Sequence, residues 1–152
     1  METIKIEPFK IIGIAIRTTN EKGQGAQDIG GLWGKFISEN ILDAIPDKVD
    51  DTVYSLYTEY ESDYTGWYTT IIGCKVKTLE YVPDSMVGKS FTGGKYLQKT
   101  IEGDLAKGIV AAEWHKIWAG DLDRTYLVDF EVYGKKAKDM HNATLDILVG
   151  IK

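Results

Sequence analysis

Tyr126-Leu127-Val128-Asp129-Phe130-Glu131-Val132-Tyr133 reads as a β-strand, with β-branched and aromatic residues at a period of two. Val128, Phe130 and Val132 share one face. Asp129 and Glu131 share the other with Leu127 and Tyr133. A carboxylate among aromatic side chains is costly to bury unless something positive meets it. The partner is either a Lys or Arg of the chain or a ligand, and that choice frames the rest of the sequence.

Working outward, the stretch has a counterpart earlier in the chain. Tyr54 to Glu59 overlays Tyr126 to Glu131, which makes Glu59 the repeat mate of Glu131. Trp33-Gly34-Lys35-Phe36 matches Trp114-His115-Lys116-Ile117, and Ile71-Ile72-Gly73-Cys74-Lys75 matches Leu148-Val149-Gly150-Ile151-Lys152. Each match falls in a plausible element. Residues 3–17 alternate as one long or bulged strand, interrupted at Pro8 and Gly13. Asp28 is a plausible cap for a helix over residues 28–41, with Ile29, Trp33, Phe36, Ile37 and Ile41 on one stripe. Val53 to Tyr60 and Trp67 to Val76 form a hairpin about Ser62-Asp63-Tyr64-Thr65-Gly66. Residues 78–90 have no clear period. The second half repeats the plan: a strand over Phe91 to Thr100, a helix over 104–119 capped by Asp104, the strand to Tyr133, and a last strand from Ala143 to Ile151.

The expected architecture is α+β: two duplicated β-α-β-β units, about 1–77 and 88–152, in one pseudo-two-fold domain spanning 1–152. Its antiparallel sheet carries both helices on one face. A ligand cleft is expected at the seam of the halves, on the face the helices leave open.

Composition bounds the partners. The 152 residues suffice for one core. A net charge of −5 argues against direct nucleic-acid contact. No apolar run reaches the roughly 20 residues a membrane helix needs. The acidic start, Met1-Glu2-Thr3-Ile4-Lys5-Ile6-Glu7, is no signal peptide, and the single cysteine, Cys74, excludes an intrachain disulfide; both fit a cytoplasmic protein. His115 and His141 are far apart, so no metal or other cofactor is expected. Cys74 has no candidate base beside it, Gly23-Gln24-Gly25 and Gly93-Gly94-Lys95 are not phosphate loops, and no serine sits in a nucleophile elbow.

Four segments together resemble a known family: the Leu32-Trp33 helix, the hairpin from Leu56-Tyr57-Thr58 to Ile72-Gly73, the Trp114–Trp118 helix, and Asp129-Phe130-Glu131-Val132-Tyr133. In this order and spacing the chain resembles the GyrI-like effector-binding domain over essentially its whole length. That domain follows the DNA-binding parts of AraC/XylS-type and MerR-type transcription regulators and also occurs alone. The chain is similar to stand-alone, integron-cassette members that bind cationic drugs. The resemblance implies multidrug-type binding of lipophilic organic cations by a pocket glutamate, which by position is Glu131. No DNA-binding segment precedes Met1-Glu2-Thr3, so a separate DNA-binding chain, or a homodimer, is the implied partner.

Trp33, Tyr57, Tyr68, Trp114 and Tyr126 are the candidate walls, since aromatic faces attract cations. Each taken alone is equally explained by helix-on-sheet packing. Glu131 could instead be a surface strand residue paired with Lys135 or Lys136. Glu59 and Glu113 are secondary candidate acids. Trp67 and Trp118 are expected in core or rim. The main expectation is binding without catalysis. The alternative is a small hydrolase of reactive natural products, with Glu131 or Glu113 as base and Tyr57 or Tyr126 as proton donor.

Overall fold

The computed structural model describes residues 1–152. Eight strands form one antiparallel sheet: β1 (Glu2–Ile6), β2 (Phe9–Thr19), β3 (Val53–Thr58), β4 (Trp67–Lys75), β5 (Val87–Phe91), β6 (Gly94–Gly103), β7 (Val128–Tyr133) and β8 (Ala143–Gly150). Three helices accompany them: α1 (Gln24–Ser38), the single turn α2 (Ile41–Ala44) and α3 (Ile109–Ala119). The sheet order is β1-β6-β8-β7-β3-β4-β2-β5. It is symmetric about the β7–β3 junction, as a duplication requires.

Two features depart from the sequence reading. Residues 3–17 are two strands, because the chain breaks at Glu7-Pro8, where proline cannot continue a ladder. The unperiodic stretch before Phe91 yields a further strand, β5. Each unit is therefore β-β-α-β-β, and the halves exchange their first strands. β1 pairs with β6 of the second half, and β5 pairs with β2 of the first, each in a five-residue ladder.

The helices start differently from the expected positions. α1 begins four residues before Asp28, behind Gly23 in a left-handed conformation (φ 75°), and Asp28 instead accepts a 2.8 Å bond from the Thr18 hydroxyl. Gly25 is required at the first turn, because a Cβ there would lie 2.6 Å from the Asn20 Oδ1 and 2.8 Å from the Tyr68 hydroxyl. Asp104 does cap, accepting from the Ala106 N–H, but it caps a single 3₁₀ turn; α3 proper begins after Gly108.

Register explains the layers. Ile14 opposes Ile72, Ile72 opposes Ser55, Ser55 opposes Glu131, and Glu131 opposes Ile147. These five side chains share one face, since opposed residues in a ladder point the same way. One end of the row lies in the core under α1, with Leu32 and Phe36; the other lies under α3, with Trp114 and Ile117. Both helices therefore cover the same face, as expected. The opposite face buries Phe9, Tyr54, Tyr96 and Phe130 against one another. Phe9 on β2 touches Phe130 on β7, ring centroids 5.6 Å apart, although β4 and β3 lie between their strands. The sheet must curl round this aromatic cluster to bring them together.

Candidate functional site

Because the curled face is filled, the expected position of the cleft on the open face is wrong. The cavity lies on the helix face, between α1, α3 and the middle of the sheet, at the seam of the halves. Its volume is about 510 Å³, within the range of small-molecule sites. α1 contributes Ala26, Ile29, Gly30 and Trp33, and α3 contributes Val110, Ala111, Trp114, His115 and Trp118. The small residues on α1 leave the space; the aromatic residues on α3 wall it.

Glu131 is on the floor. It is 2 % exposed and stands in the row that joins the two cores, between Ser55 and Ile147. Its Oε2 accepts from the Tyr57 hydroxyl at 2.6 Å and from the Trp114 indole N–H at 2.7 Å. Its Oε1 accepts from the Tyr133 hydroxyl at 2.5 Å. All three donors are neutral. Burial pushes the Glu131 carboxyl above the ordinary carboxylate range, and the bonds from Tyr133, Tyr57 and Trp114 oppose that only in part. Neither Lys135 nor Lys136 pairs with it; both lie in a 3₁₀ turn beyond the strand. Burial first, and then the neighbouring Glu131 charge, raise Tyr57 well above the usual phenol value and Tyr68 to about 12, so both keep their protons.

Asp129, two residues earlier on the same face, has the opposite solution. It is completely buried and takes Arg124 Nη2 at 2.8 Å, the Tyr60 hydroxyl at 2.6 Å and the Gly150 N–H at 2.8 Å. The strand thus carries two buried carboxylates. One is neutralised by the chain's own arginine and the other by nothing in the chain.

Of the sequence candidates, Glu131, Trp33, Tyr57, Tyr68 and Trp114 line the cavity together. Tyr126 does not. It lies just before β7 at φ 54° and covers the Arg124 guanidinium, 4.3 Å from its Cζ, from outside. Glu59 is also elsewhere: it is half-exposed and ion-paired to Lys89 at 2.5 Å, which holds its carboxyl below the usual range. Glu113 is buried on α3 but does not line the cavity.

The Glu59–Glu131 match fails for a definite reason. Leu56 opposes Ile71 in the first half, and Phe130 opposes Leu148 in the second. With Ile71 matched to Leu148, Leu56 corresponds to Phe130, so Tyr57 corresponds to Glu131 and Glu59 to Tyr133. The sequence overlay was two residues out of register. A slip of two keeps every side chain on its own face and leaves the pattern undisturbed.

Sequence reasoning missed Tyr60, Tyr64, Trp118, Tyr133 and Arg124 as cavity residues. Tyr133 was legible, being two residues from Glu131 on the same face. The others depend on tertiary approach: Tyr64 in the hairpin turn stacks on Trp118 of α3, centroids 5.3 Å apart and planes 4° from parallel. Trp118 therefore belongs to the cavity as well as to the rim.

A profile of the family described as Cass2, integron-associated effector binding protein, matches residues 2–151. The chain is similar to the integron cassette protein VCH_CASS2 from the mobile metagenome of Vibrio cholerae, with 31 % identity and a TM-score of 0.75 over 99 % of this chain and 95 % of that one. SAV2435, solved bound to tetraphenylphosphonium, shares the fold with a TM-score of 0.75 over 99 % and 93 % of the two chains at 15 % identity. YobU of Bacillus subtilis (strain 168), named for transcriptional regulation, is 25 % identical over 147 residues, 94 % of this chain and 92 % of that protein.

Proposed function

This chain belongs to the Cass2 family of integron-associated effector binding proteins, and on that premise we propose that its cavity binds lipophilic aromatic cations, with Glu131 as the counter-charge. The observation that carries this reading is the unequal treatment of two buried acids. Asp129 has Arg124, while Glu131 has three neutral donors and faces an aromatic cavity. A buried carboxylate without a cation is a standing electrostatic cost, which an entering cation removes. Trp33, Tyr57, Tyr68, Trp114, Trp118 and Tyr133 add π-face attraction, about 0.5–2 kcal/mol for each well-placed contact. Large, weakly hydrated cations gain most, because little water is stripped from them.

Three bonds already occupy Glu131, of the roughly four that a carboxylate can accept. The acid is therefore better arranged as a fixed charge than as a base that takes a proton from water. Tyr57 keeps its proton too tightly to serve as an acid near neutral pH, and Tyr126 lies outside the cavity. These features weigh against the hydrolase alternative. The proposed role is to sequester the effector or report it to a partner chain.

Tetraphenylphosphonium and tetraphenylborate have the same shape and opposite charge, so the pair tests the reading directly. Quenching of cavity tryptophan fluorescence should give micromolar binding of the cation and none of the anion. Equal affinities would overturn the role assigned to Glu131.

A further inference from the structure

Ser55 stands opposite Glu131 on the neighbouring strand and is completely buried, yet it neither bonds the carboxylate nor lines the cavity. Its hydroxyl meets the Tyr57 hydroxyl at 3.1 Å, and Tyr57 in turn meets Glu131 Oε2 at 2.6 Å. Ser55 and Tyr57 lie two residues apart on β3 and so share its helix face. The alternation of β3 thus builds a hydrogen-bond chain that runs from Ser55 through Tyr57 to the acid.

The direction of that chain follows from counting protons. An ionised carboxylate only accepts, so Tyr57 must donate to it. A phenol has a single proton, so the contact with Ser55 exists only with Ser55 as donor. Both hydroxyl protons therefore point toward Glu131. A phenol whose oxygen accepts a hydrogen bond is the better donor through its own proton, and such chains strengthen by about 10–30 % per bond. The other donors to the acid owe nothing to Ser55: Trp114 comes from α3, and Tyr133 bonds the second oxygen.

The groups around Glu131 that can change charge are few. β3 presents Tyr57, β4 presents Tyr68 and β7 presents Tyr133; burial and the Glu131 charge raise all three, so they keep their protons. Asp129 and Arg124 hold each other. β8 meets the acid with Ile147, α1 lends the cavity no titratable group, and α3 lends it His115. We propose that Ser55 is a positioning residue for Glu131: by donating to Tyr57 it holds the Tyr57 proton on the carboxylate, so that the acid meets the ligand as a charge. This rests on the cation-binding reading and adds to it a residue outside the cavity.

Tetraphenylphosphonium keeps its charge at every pH, so the pH dependence of its affinity reports the protein. In the unaltered protein, affinity should rise as pH rises above 4.5 and level off once Glu131 is fully ionised. Ser55→Ala should move the levelling point up by about half a pH unit, the upper end of what such a chain adds to a charge-assisted bond. Tyr57→Phe removes that bond outright and should move the point further the same way. Adding Ser55→Ala to Tyr57→Phe should then move it no more. His115 is common to all these proteins and cancels in the differences. An unmoved levelling point in Ser55→Ala overturns the proposal, even if affinity falls equally at every pH, because Ser55 would then act through packing alone. A Ser55→Ala shift that persists in the Tyr57→Phe background also overturns it. If Ser55→Ala does not fold, Ser55→Cys, of similar shape and a weaker donor, is held to the same two results. Absence of tetraphenylphosphonium binding by the unaltered protein at every pH overturns the cation reading itself, and this inference with it.

Discussion

Glu131→Gln removes one charge and leaves the shape. From the hydrogen-bond geometry, the amide oxygen can replace Oε2 and keep the bonds from Tyr57 and Trp114. The amide nitrogen then faces the Tyr133 hydroxyl, which must turn from donor to acceptor. Two effects on stability oppose each other. Removing a buried charge recovers a desolvation penalty of several kcal/mol. Three charge-assisted bonds, each of about 1.5–3 kcal/mol, become neutral ones of about 1 kcal/mol. The net change should lie within about 1 kcal/mol, which moves the melting temperature of a chain this size by only a few degrees. Cation binding has no such compensation. It should weaken by about 1.5–3 kcal/mol, roughly ten- to hundred-fold in Kd, because the counter-charge is gone and the aromatic contacts remain. Isothermal titration with tetraphenylphosphonium, beside a thermal melt, measures both quantities. Unchanged affinity in a folded Glu131→Gln protein would refute the counter-charge argument and leave aromatic stacking as the basis of binding.

The same acid predicts a pH dependence. Glu131 titrates above its ordinary value of 4.5 in the folded chain, so between that value and its raised one the folded state holds more protons than the unfolded state, and stability falls as pH rises. A cation favours the ionised form, so binding should tighten as pH rises through that window and release protons. Titration in two buffers of different ionisation enthalpy, at pH values above the ordinary 4.5, should detect the release; proton uptake would contradict it. Glu59→Gln, by contrast, should leave cation affinity unchanged and alter stability by no more than about 0.5 kcal/mol, since its ion pair with Lys89 is half in solvent. A large affinity loss in that variant would move the site to the β3 end.

Alternation and helical spacing made the duplication and the common face of the two helices legible, because those patterns record which face is buried; Glu131 and its four aromatic neighbours were singled out through the family resemblance. They fix register only modulo two, so Glu59 was matched in place of Tyr57. Nor do they record curl. The cleft was expected on the face the helices leave open, and only the three-dimensional sheet shows that Phe9, Tyr54, Tyr96 and Phe130 fill that face. The difference between Asp129 and Glu131 was also invisible in the strand, since it depends on Arg124, which reaches back from the preceding loop. The first strand of each half was masked by Pro8 on one side and by the unperiodic run before Phe91 on the other.

The exchange of β1 and β5 bears on how the protein can accommodate ligands of different size. Two domains joined at a seam could swing apart like a hinge. Here each half is stitched into the other by a five-residue ladder at the far edge of the sheet, while β3 and β7 join them in the middle. Opening the seam would tear three ladders together. The floor carrying Glu131 is therefore fixed, and any breathing of the cavity falls to its roof, where α1 carries Gly30, Gly31 and Gly34 with open space in place of side chains. Each of these glycines costs the helix about 1 kcal/mol of propensity relative to alanine, so α1 is held by its packing rather than by its own sequence. On the proposed reading, the acid that meets the ligand stands in the part of the wall that the ladders hold, and the glycine-bearing helix is the part free to adjust.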